Sequence, residues 1–466
     1  MVKFCKGLYL YNMTIFNFPF LKVEVFAMSY RMKLFQDELA RCIQRLHNEG
    51  WLPNEEMGEA SVRDTESGNV TISIKPGTIG VTDPAAYLGS DMPIVDRDGN
   101  YITHHAPCHE NLPLHLAIYK ARPDVSAIIH VYPLWTTMFT NRKRGLPFVL
   151  AEQLEASCNV QCVQSPPALT AEYFDEVIQA LGNQSCVFLY NGGILCVGDN
   201  IDNVINYVAW MDSVAEKISL AELIGEVKTI TADPIIAVTE GYEYKVDTDY
   251  KTYQNYNEIL FKEEVARGTR MLNIKGYSPS GESGDVAVRD LQTGLCYISG
   301  SPSWCFQKNL RDARGWERFI CDKDENIFTP YSEPTCEWVM HTAIFRKRPD
   351  VGAIVQTHGR WATVFAILEM DVPLDIIGEG LTGVIPCTPY RSAGGHELGE
   401  VIADGLLDSD YVLMGHHGAV IVGKTMDEAM AKTAWMEKAC EKAFYAILCG
   451  GGAKATLEKA RETYKP

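Results

Sequence analysis

The sequence predicts a mixed α/β protein made of two copies of one domain, each with helices packed on a mixed or mainly antiparallel sheet. The first observation is a long repeat. Three segments of the first half recur in the second half, in the same order and at an offset of 225 or 226 residues: 59–64 with 285–290, 115–130 with 341–356, and 209–212 with 434–437. The second observation is that stretches with helical spacing and stretches with strand alternation occur in both halves. A long fixed period indicates a duplicated domain.

The hydropathy pattern predicts the elements in chain order. Residues 33–48 carry apolar side chains at helical spacing and predict a helix, whereas 69–75 alternates and predicts a strand. Residues 410–423 form two short apolar runs around Gly-His-His-Gly at 415–418, which predicts a hairpin, and 426–448 predicts a long helix. Because hairpins occur and the alternation is irregular, a doubly wound parallel sheet is disfavoured.

The repeat also sets the expected domain boundaries. We expect a first domain at 29–226, a tyrosine-rich linker at 227–257, a second domain at 258–452 and a tail at 453–466. Residues 1–28 are apolar and aromatic but lack the small-residue cleavage site of a signal peptide. We expect this segment to be a disordered extension, in keeping with an upstream start codon.

Composition narrows the class of protein. Of the 466 residues, 46% are hydrophobic and 22% charged, the balance of a soluble globular protein. A net charge of −18 argues against a nucleic-acid partner, and the absence of an 18-residue apolar run argues against a membrane span. The 14 cysteines contain no Cys-x-x-Cys pair, so we expect reduced thiols in a cytoplasmic protein rather than a zinc ribbon.

Four polar residues of the second half are suitable parts for a metal site. Gln356 and His358 lie two residues apart on a predicted buried strand, so both side chains point to one side of it. His417 lies in the predicted hairpin turn, and Glu337 opens a predicted helix. Nitrogen ligands on a rigid strand, with a third ligand nearby, leave room at a metal for substrate.

The same residues resemble the class II aldolase/adducin family. The resemblance covers both halves, and its most specific segments are 336–345, 348–358 and 416–423. It implies a three-layer α/β/α sandwich around a mainly antiparallel sheet in each domain. It also implies a divalent metal held by three histidines, with Zn²⁺ the first choice and Mn²⁺, Fe²⁺ or Mg²⁺ as alternatives. Active sites of the family commonly form between subunits of a ring-like tetramer.

The family's site residues map onto the second half with one departure. Glu337 matches the glutamate that transfers protons, and His358 and His417 match two metal-binding histidines. Gln356 stands where the first histidine belongs. A glutamine oxygen is a weaker and harder donor than imidazole, so metal binding is weakened, tuned toward a harder ion, or lost.

The first half departs further from the family pattern. His130 matches the first histidine, but Tyr132, Gly192 and Asn111 replace the other two histidines and the glutamate. We therefore expect this half not to bind the family metal in the family way. The run from His104 to Glu110 is rich in possible ligands. It is interpreted as a polar segment with surface histidines, as a relocated metal site, or as residues donated to the other half's cleft.

Residues at the family's phosphate-binding positions also differ. Asp285, Ser299, Gly300 and Thr335 stand at roughly those places, and a carboxylate at 285 is expected to repel a phosphate. Arg360 follows the strand and has two interpretations: it pairs with a carboxylate of the substrate, or it forms a structural ion pair.

The resemblance and its departures lead to a functional prediction. We expect a divalent-metal-dependent carbon–carbon lyase, an aldolase or decarboxylase, that acts on a small hydroxy or keto acid or a sugar-derived substrate through an enediolate. The first domain would be a pseudo-catalytic partner, and two chains would form a homo-oligomer that imitates the tetramer. The alternative is a non-enzymatic, adducin-like scaffold, and a phosphosugar epimerase is less favoured. Retention of Glu337, His358 and His417 together favours the enzyme.

Overall fold

The chain folds into two domains with the same order of strands. The computed structural model describes residues 19–52, 58–75, 77–81, 83–103, 106–231, 256–278, 284–300, 313, 319–328, 334–378 and 380–450. Within these residues, no helix is both long and apolar enough to span a membrane.

The described residues of the first domain form five α-helices and seven strands. The helices are α1 (Pro19–Asn48), α2 (Leu112–Ala121), α3 (Leu134–Thr140), α4 (Ala171–Leu181) and α5 (Ile201–Ala221). The strands are β1 (Glu59–Arg63), β2 (Val70–Ile72), β3 (Ile94–Val95), β4 (Ala127–Val131), β5 (Cys162–Val163), β6 (Cys186–Leu189) and β7 (Gly193–Gly198).

The second domain repeats this set and adds a short hairpin. Its helices are α6 (Tyr256–Ile274), α7 (Trp338–Lys347), α8 (Arg360–Ile367), α9 (His396–Gly405) and α10 (Met426–Leu448). Its strands are β8 (Asp285–Arg289), β9 (Leu295–Ile298), β10 (Phe319–Asp322), β11 (Ala353–Thr357), β12 (Val372–Pro373), β13 (Val384–Ile385), β14 (Cys387–Thr388), β15 (Tyr411–Met414) and β16 (Gly418–Gly423).

Each domain is built on one seven-stranded sheet. The spatial order is β3-β2-β1-β4-β7-β6-β5 in the first domain and β10-β9-β8-β11-β16-β15-β14 in the second. The pairs β5–β6 and β14–β15 are parallel, and the other pairs of the two described sheets are antiparallel. The predicted fold class, two α/β domains with mainly antiparallel sheets, is confirmed.

Several predicted elements can be compared with the structure directly. The strand expected at 69–75 is β2, and the hairpin expected at 410–423 is β15 and β16. Helix α1 begins at Pro19, so it includes residues 19–28 of the segment expected to be a disordered extension. Residues 1–18, most of the linker and the tail at 453–466 lie outside the described residues.

The duplication is visible in how the domains cap equivalent helices. Asp212 on α5 accepts a hydrogen bond from the Trp135 backbone N–H at 2.9 Å, at the start of α3. Glu437 on α10 accepts one from the Trp361 backbone N–H at 3.0 Å, at the start of α8. A buried carboxylate at a helix N-terminus satisfies N–H groups that have no partner within the helix.

The two domains share one apolar core. Helix α5 of the first domain packs on α8 of the second, and Met211 and Phe365 belong to the same buried cluster. The contact is close, because a Cβ added at Gly225 would lie 3.0 Å from the Leu368 side chain. This interface positions the first domain beside the histidines that follow β11 and β15.

Candidate metal and catalytic centre

Strand β11 positions the first two residues of the centre close together. Gln356 is the penultimate residue of the strand and His358 follows its end, so their side chains emerge on the same side. Gln356 Nε2 lies 2.8 Å from His358 Nε2, and both side chains are buried. The sequence-based expectation that these two side chains meet agrees with this geometry.

The hairpin turn brings His417 to the same place. Its neighbour His416 has a φ of +56°, a conformation that costs free energy for a residue with a Cβ. Three hydrogen bonds hold that conformation: His416 N–H to the Ala366 carbonyl at 3.0 Å, His416 Nδ1 to the Val149 carbonyl at 2.8 Å, and Ala151 N–H to the His416 carbonyl at 3.0 Å. The turn that orients His417 is therefore fixed from both domains.

Glu337 completes the centre from the start of α7. It occupies the N-cap position, and its Oε1 lies 2.9 Å from His417 Nε2. Burial by itself raises the pKa of Glu337, but the adjacent His417 offsets this and leaves the pKa below its usual range. Burial likewise lowers the pKa of His417, but Glu337 more than offsets it and leaves the pKa raised. Glu337 and His417 thus form a buried pair in which each side chain favours the charged form of the other.

The Gln356 amide has a definite orientation. Its Oε1 accepts a hydrogen bond from the Asp285 backbone N–H at 2.9 Å. Its Nε2 therefore faces the imidazoles, at 2.8 Å from His358 Nε2 and 3.5 Å from His417 Nε2. Gln356 presents a donor rather than an oxygen ligand to the centre, and ligation through its oxygen requires the amide to turn over.

These donor types fit a divalent metal ion. Two imidazole nitrogens meet at the Gln356 amide, and the Glu337 carboxylate lies beside one of them; two histidines with one glutamate are a known set of zinc ligands. In the described part of the chain, no three His, Cys, Asp or Glu side chains are already spaced to hold an ion. For an ion to bind, His358 Nε2 has to part from the Gln356 amide and His417 Nε2 from Glu337.

Four of the five residues predicted to contact substrate, Asp285, Ser299, Gly300 and Thr335, form one hydrogen-bonded group beside Glu337. Thr335 Oγ1 donates to Asp285 Oδ2 at 2.6 Å, and His341 Nε2 lies 2.5 Å from Asp285 Oδ1. Ser299 Oγ accepts from the Val286 N–H at 3.1 Å, and Gly300 pairs with Pro334 in an isolated bridge. His341 therefore acts as a hydrogen-bonding partner of Asp285 in this group.

The structure shows how Asp285, the residue expected to repel a phosphate, is held. Asp285 is 4% exposed, and both of its oxygens are engaged by Thr335 and His341. The expectation that it repels a phosphate stays a prediction.

Arg360 is held away from this group by an ion pair. Its Nη2 lies 2.9 Å from Glu216 Oε1 on α5, across the domain interface, and its side chain is 53% exposed. Of the two interpretations, the structure corresponds to the structural ion pair.

Two residues of the centre were missed by sequence reasoning. Glu152 of the first domain lies with its Oε2 2.8 Å from His358 Nδ1, and Lys217 Nζ lies 3.2 Å from Glu152 Oε1. Glu152 is 206 positions away from His358 in the chain. No sequence pattern marked Glu152, whereas a lysine on the apolar face of a helix was a detectable anomaly.

The first domain has a different centre at the equivalent place. Glu59, the counterpart of Asp285, is one methylene longer and lies 2.8 Å from His130 Nδ1. The Asn111 amide donates to the same Glu59 oxygen at 2.7 Å, and His115 Nε2 lies 3.4 Å from it. His109 Nδ1 lies 3.8 Å from the other oxygen. A carboxylate thus stands among the imidazoles of this domain.

The negative charge of Glu59 in the first-domain centre is stabilised by histidines of the same domain. Burial alone raises the pKa of Glu59, but His130, His115 and His109 more than offset this, and the pKa is well below its usual range. His109 is buried, whereas Glu110 is exposed, and His104 lies outside the described residues. The expectation that this domain does not bind the family metal in the family way stays a prediction.

Comparison with known proteins identifies the class. Residues 37–218 and 263–444 each match the family described as Class II Aldolase and Adducin N-terminal domain. Together the two matches span most of the chain, so the chain belongs to this family as a tandem duplication. The resemblance expected from the motifs is confirmed.

Particular relatives are sugar-phosphate aldolases. The chain is 34% identical over 196 residues to an Escherichia coli O45:K1 protein named 5-methylthioribulose-1-phosphate/5-deoxyribulose-1-phosphate aldolase; the match covers 41% of this chain and 86% of the relative. It is 28% identical over 160 residues to the 5-deoxy-D-ribulose 1-phosphate aldolase of Bacillus thuringiensis serovar kurstaki, covering 34% of this chain and 72% of the relative. A solved L-fuculose 1-phosphate aldolase matches with a TM-score of 0.40 and 24% identity, covering 42% of this chain and 91% of that one. The relatives' names support the expectation that the chain is a lyase.

Proposed function

We propose that this protein is a divalent-metal-dependent carbon–carbon lyase that performs aldol cleavage of a sugar-derived substrate with vicinal oxygens, in its second domain. The observation that carries the proposal is the convergence of Glu337, His358 and His417 in one buried cluster. Three elements far apart in the chain contribute one residue each. A scaffold without catalysis does not need this convergence, so the enzyme is favoured over the adducin-like alternative.

The chemistry is divided between the ion and this chain's own residues. His358 and His417, beside Glu337, would hold a divalent ion, which would supply electrostatic stabilisation of negative charge on the substrate oxygens. Glu337 takes the proton of the hydroxyl that becomes the aldehyde when the carbon–carbon bond breaks. It then returns that proton to the enediolate carbon.

A substrate panel tests the proposed reaction. Purified protein with added Zn²⁺, Mn²⁺, Fe²⁺ or Mg²⁺ is incubated with ketose 1-phosphates, their unphosphorylated sugars and hydroxy or keto acids. Aldehyde release is followed by reduction with a coupled dehydrogenase, and carbon dioxide release is followed in parallel. We expect aldehyde from at least one substrate in a metal-dependent manner. Carbon dioxide alone would indicate the decarboxylase, and neither product with any substrate or metal would favour the scaffold.

We also propose that two copies assemble into a dimer that imitates a four-domain ring. The support is a difference in burial between repeat-equivalent surfaces. Val364 on α8 is fully buried in the shared core, where α5 packs, whereas its counterpart Met138 on α3 is 36% exposed and Leu134 is 65% exposed. Lys217 on α5 is buried and its counterpart Lys442 on α10 is exposed. We infer that α10 of one copy covers α3 of the other.

Light scattering tests the assembly. The expected mass in solution is twice that of the 52.0 kDa chain. Leu134→Glu with Met138→Glu is expected to give a folded monomer, because both side chains are on the protein surface. Leu291→Glu, at a side chain that is 63% exposed in the second domain, is the matched control and should stay dimeric. A monomeric wild type would refute the dimer, and so would a dimer that survives the α3 changes.

A further inference from the structure

We propose that Glu152 of the first domain is a positioning residue for His358, and that the first domain thereby sets the metal affinity of the centre in the second domain. The inference rests on the proposed function, since it concerns the same centre. It gives the first domain a role in metal binding, although that domain lacks most of the family's site residues.

The contacts form a continuous chain across the domain interface. Lys217 Nζ lies 3.2 Å from Glu152 Oε1, and Glu152 Oε2 lies 2.8 Å from His358 Nδ1. All three side chains are at most 8% exposed. Two charged residues in an apolar interface are costly to bury unless each finds a partner. Here each of them does.

The contacts of Glu152 fix the role of each nitrogen of His358. One oxygen of Glu152 faces the Lys217 ammonium group at 3.2 Å, and the other faces His358 Nδ1 at 2.8 Å. A carboxylate paired with a lysine is ionised and can only accept hydrogen bonds. His358 Nδ1 therefore carries a proton, and Nε2 keeps its lone pair directed at Gln356 and the centre. A carboxylate on the remote nitrogen of a ligating histidine fixes its tautomer and raises its basicity.

The segment that carries Glu152 is anchored to the second domain by its backbone as well. The Ala151 N–H and the Val149 carbonyl both bond His416, in the turn that presents His417. The 3₁₀ turn Ala151–Glu155 packs against α5, the helix that carries Lys217. One segment of the first domain thus contacts His358 directly and supports the turn of His417.

The test compares metal affinity in variants that keep the fold. The double change Glu152→Gln with Lys217→Met removes both charges together, because removal of one partner alone leaves an unpaired buried charge. Glu216→Gln is the matched control. Like Glu152, Glu216 is a first-domain carboxylate that pairs with a second-domain residue, but its partner is the half-exposed Arg360. Zn²⁺ affinity is measured by competition with a chromophoric chelator, and thermal unfolding of the metal-free proteins reports the fold.

We expect the double variant to bind Zn²⁺ about 10- to 100-fold more weakly than wild type, the range for loss of such a supporting residue. Glu216→Gln should bind as wild type does. Excess metal should restore turnover in the double variant with kcat close to wild type, which a general packing defect would not allow. Unchanged affinity in a folded double variant overturns the inference, as does a loss equal to that of Glu216→Gln. If wild type itself binds no metal, the proposed function fails instead.

Discussion

Replacing either His358 or His417 with alanine is expected to remove the divalent ion from the purified protein. Both imidazoles are at most 5% exposed, and their Nε2 atoms meet around the Gln356 amide. With Gln356 in the place of a third imidazole, two nitrogens carry most of the binding free energy. We expect about one ion per chain in wild type and below about a tenth of that in each variant, measured by elemental mass spectrometry.

Two further variants make this result interpretable. His396→Ala is the control, because His396 is 55% exposed and bonds Glu325 instead of the centre, and it should keep its metal. Gln356→His adds the missing imidazole and should bind the ion more tightly than wild type. Metal content that is the same in wild type and both alanine variants would place the ion elsewhere and remove the basis of the proposed mechanism.

Replacing Glu337 with glutamine is expected to lower kcat by a factor of about 10² to 10⁴ at saturating metal, the range for loss of a general acid–base group. The carboxylate is buried at the start of α7, 2.9 Å from His417, and holds its charge in the site. Glutamine keeps the size of the side chain but cannot take up the hydroxyl proton. Steady-state rates at several metal concentrations separate this loss from weaker metal binding.

The matched control is a change near the opposite end of helix α7. Glu400 pairs with Arg346 and Lys347 in the last turn of α7, and its side chain is 47% exposed. Glu400→Gln should keep kcat within about twofold, because exposed ion pairs contribute little free energy. A kcat for Glu337→Gln that matches this control would show that another group moves the proton.

The principal features of the second-domain site could be predicted because each depends on local chain geometry. Because Gln356 and His358 lie two residues apart on a strand, their side chains point to the same side whatever surrounds them. Glycines flanking a histidine pair between apolar runs predict the turn of His417. The direction of the Gln356 amide was not predictable, because it depends on the Asp285 backbone N–H, which reaches it through the pairing of β8 with β11.

The interpretation of Asp285 left out contacts that the sequence does not encode locally. Asp285 was judged by its charge alone, whereas Thr335 and His341, 50 and 56 positions away in the chain, engage both of its oxygens. Residues 19–28 were judged by their composition, whereas the structure places them in helix α1, continuous with the helix predicted at 33–48.

The sequence by itself determined the duplication, the family and the mainly antiparallel α/β domains, and it predicted Glu337, His358 and His417 as residues of the candidate site. Periodicity and motif spacing are properties of the sequence, so they can be recognised without a structure. Only the tertiary structure decided that Glu152 and Lys217 reach the centre. Their contacts are set by how α5 packs on α8, and that packing joins residues more than 200 positions apart in the chain. The unit that supports His358 is therefore the domain pair.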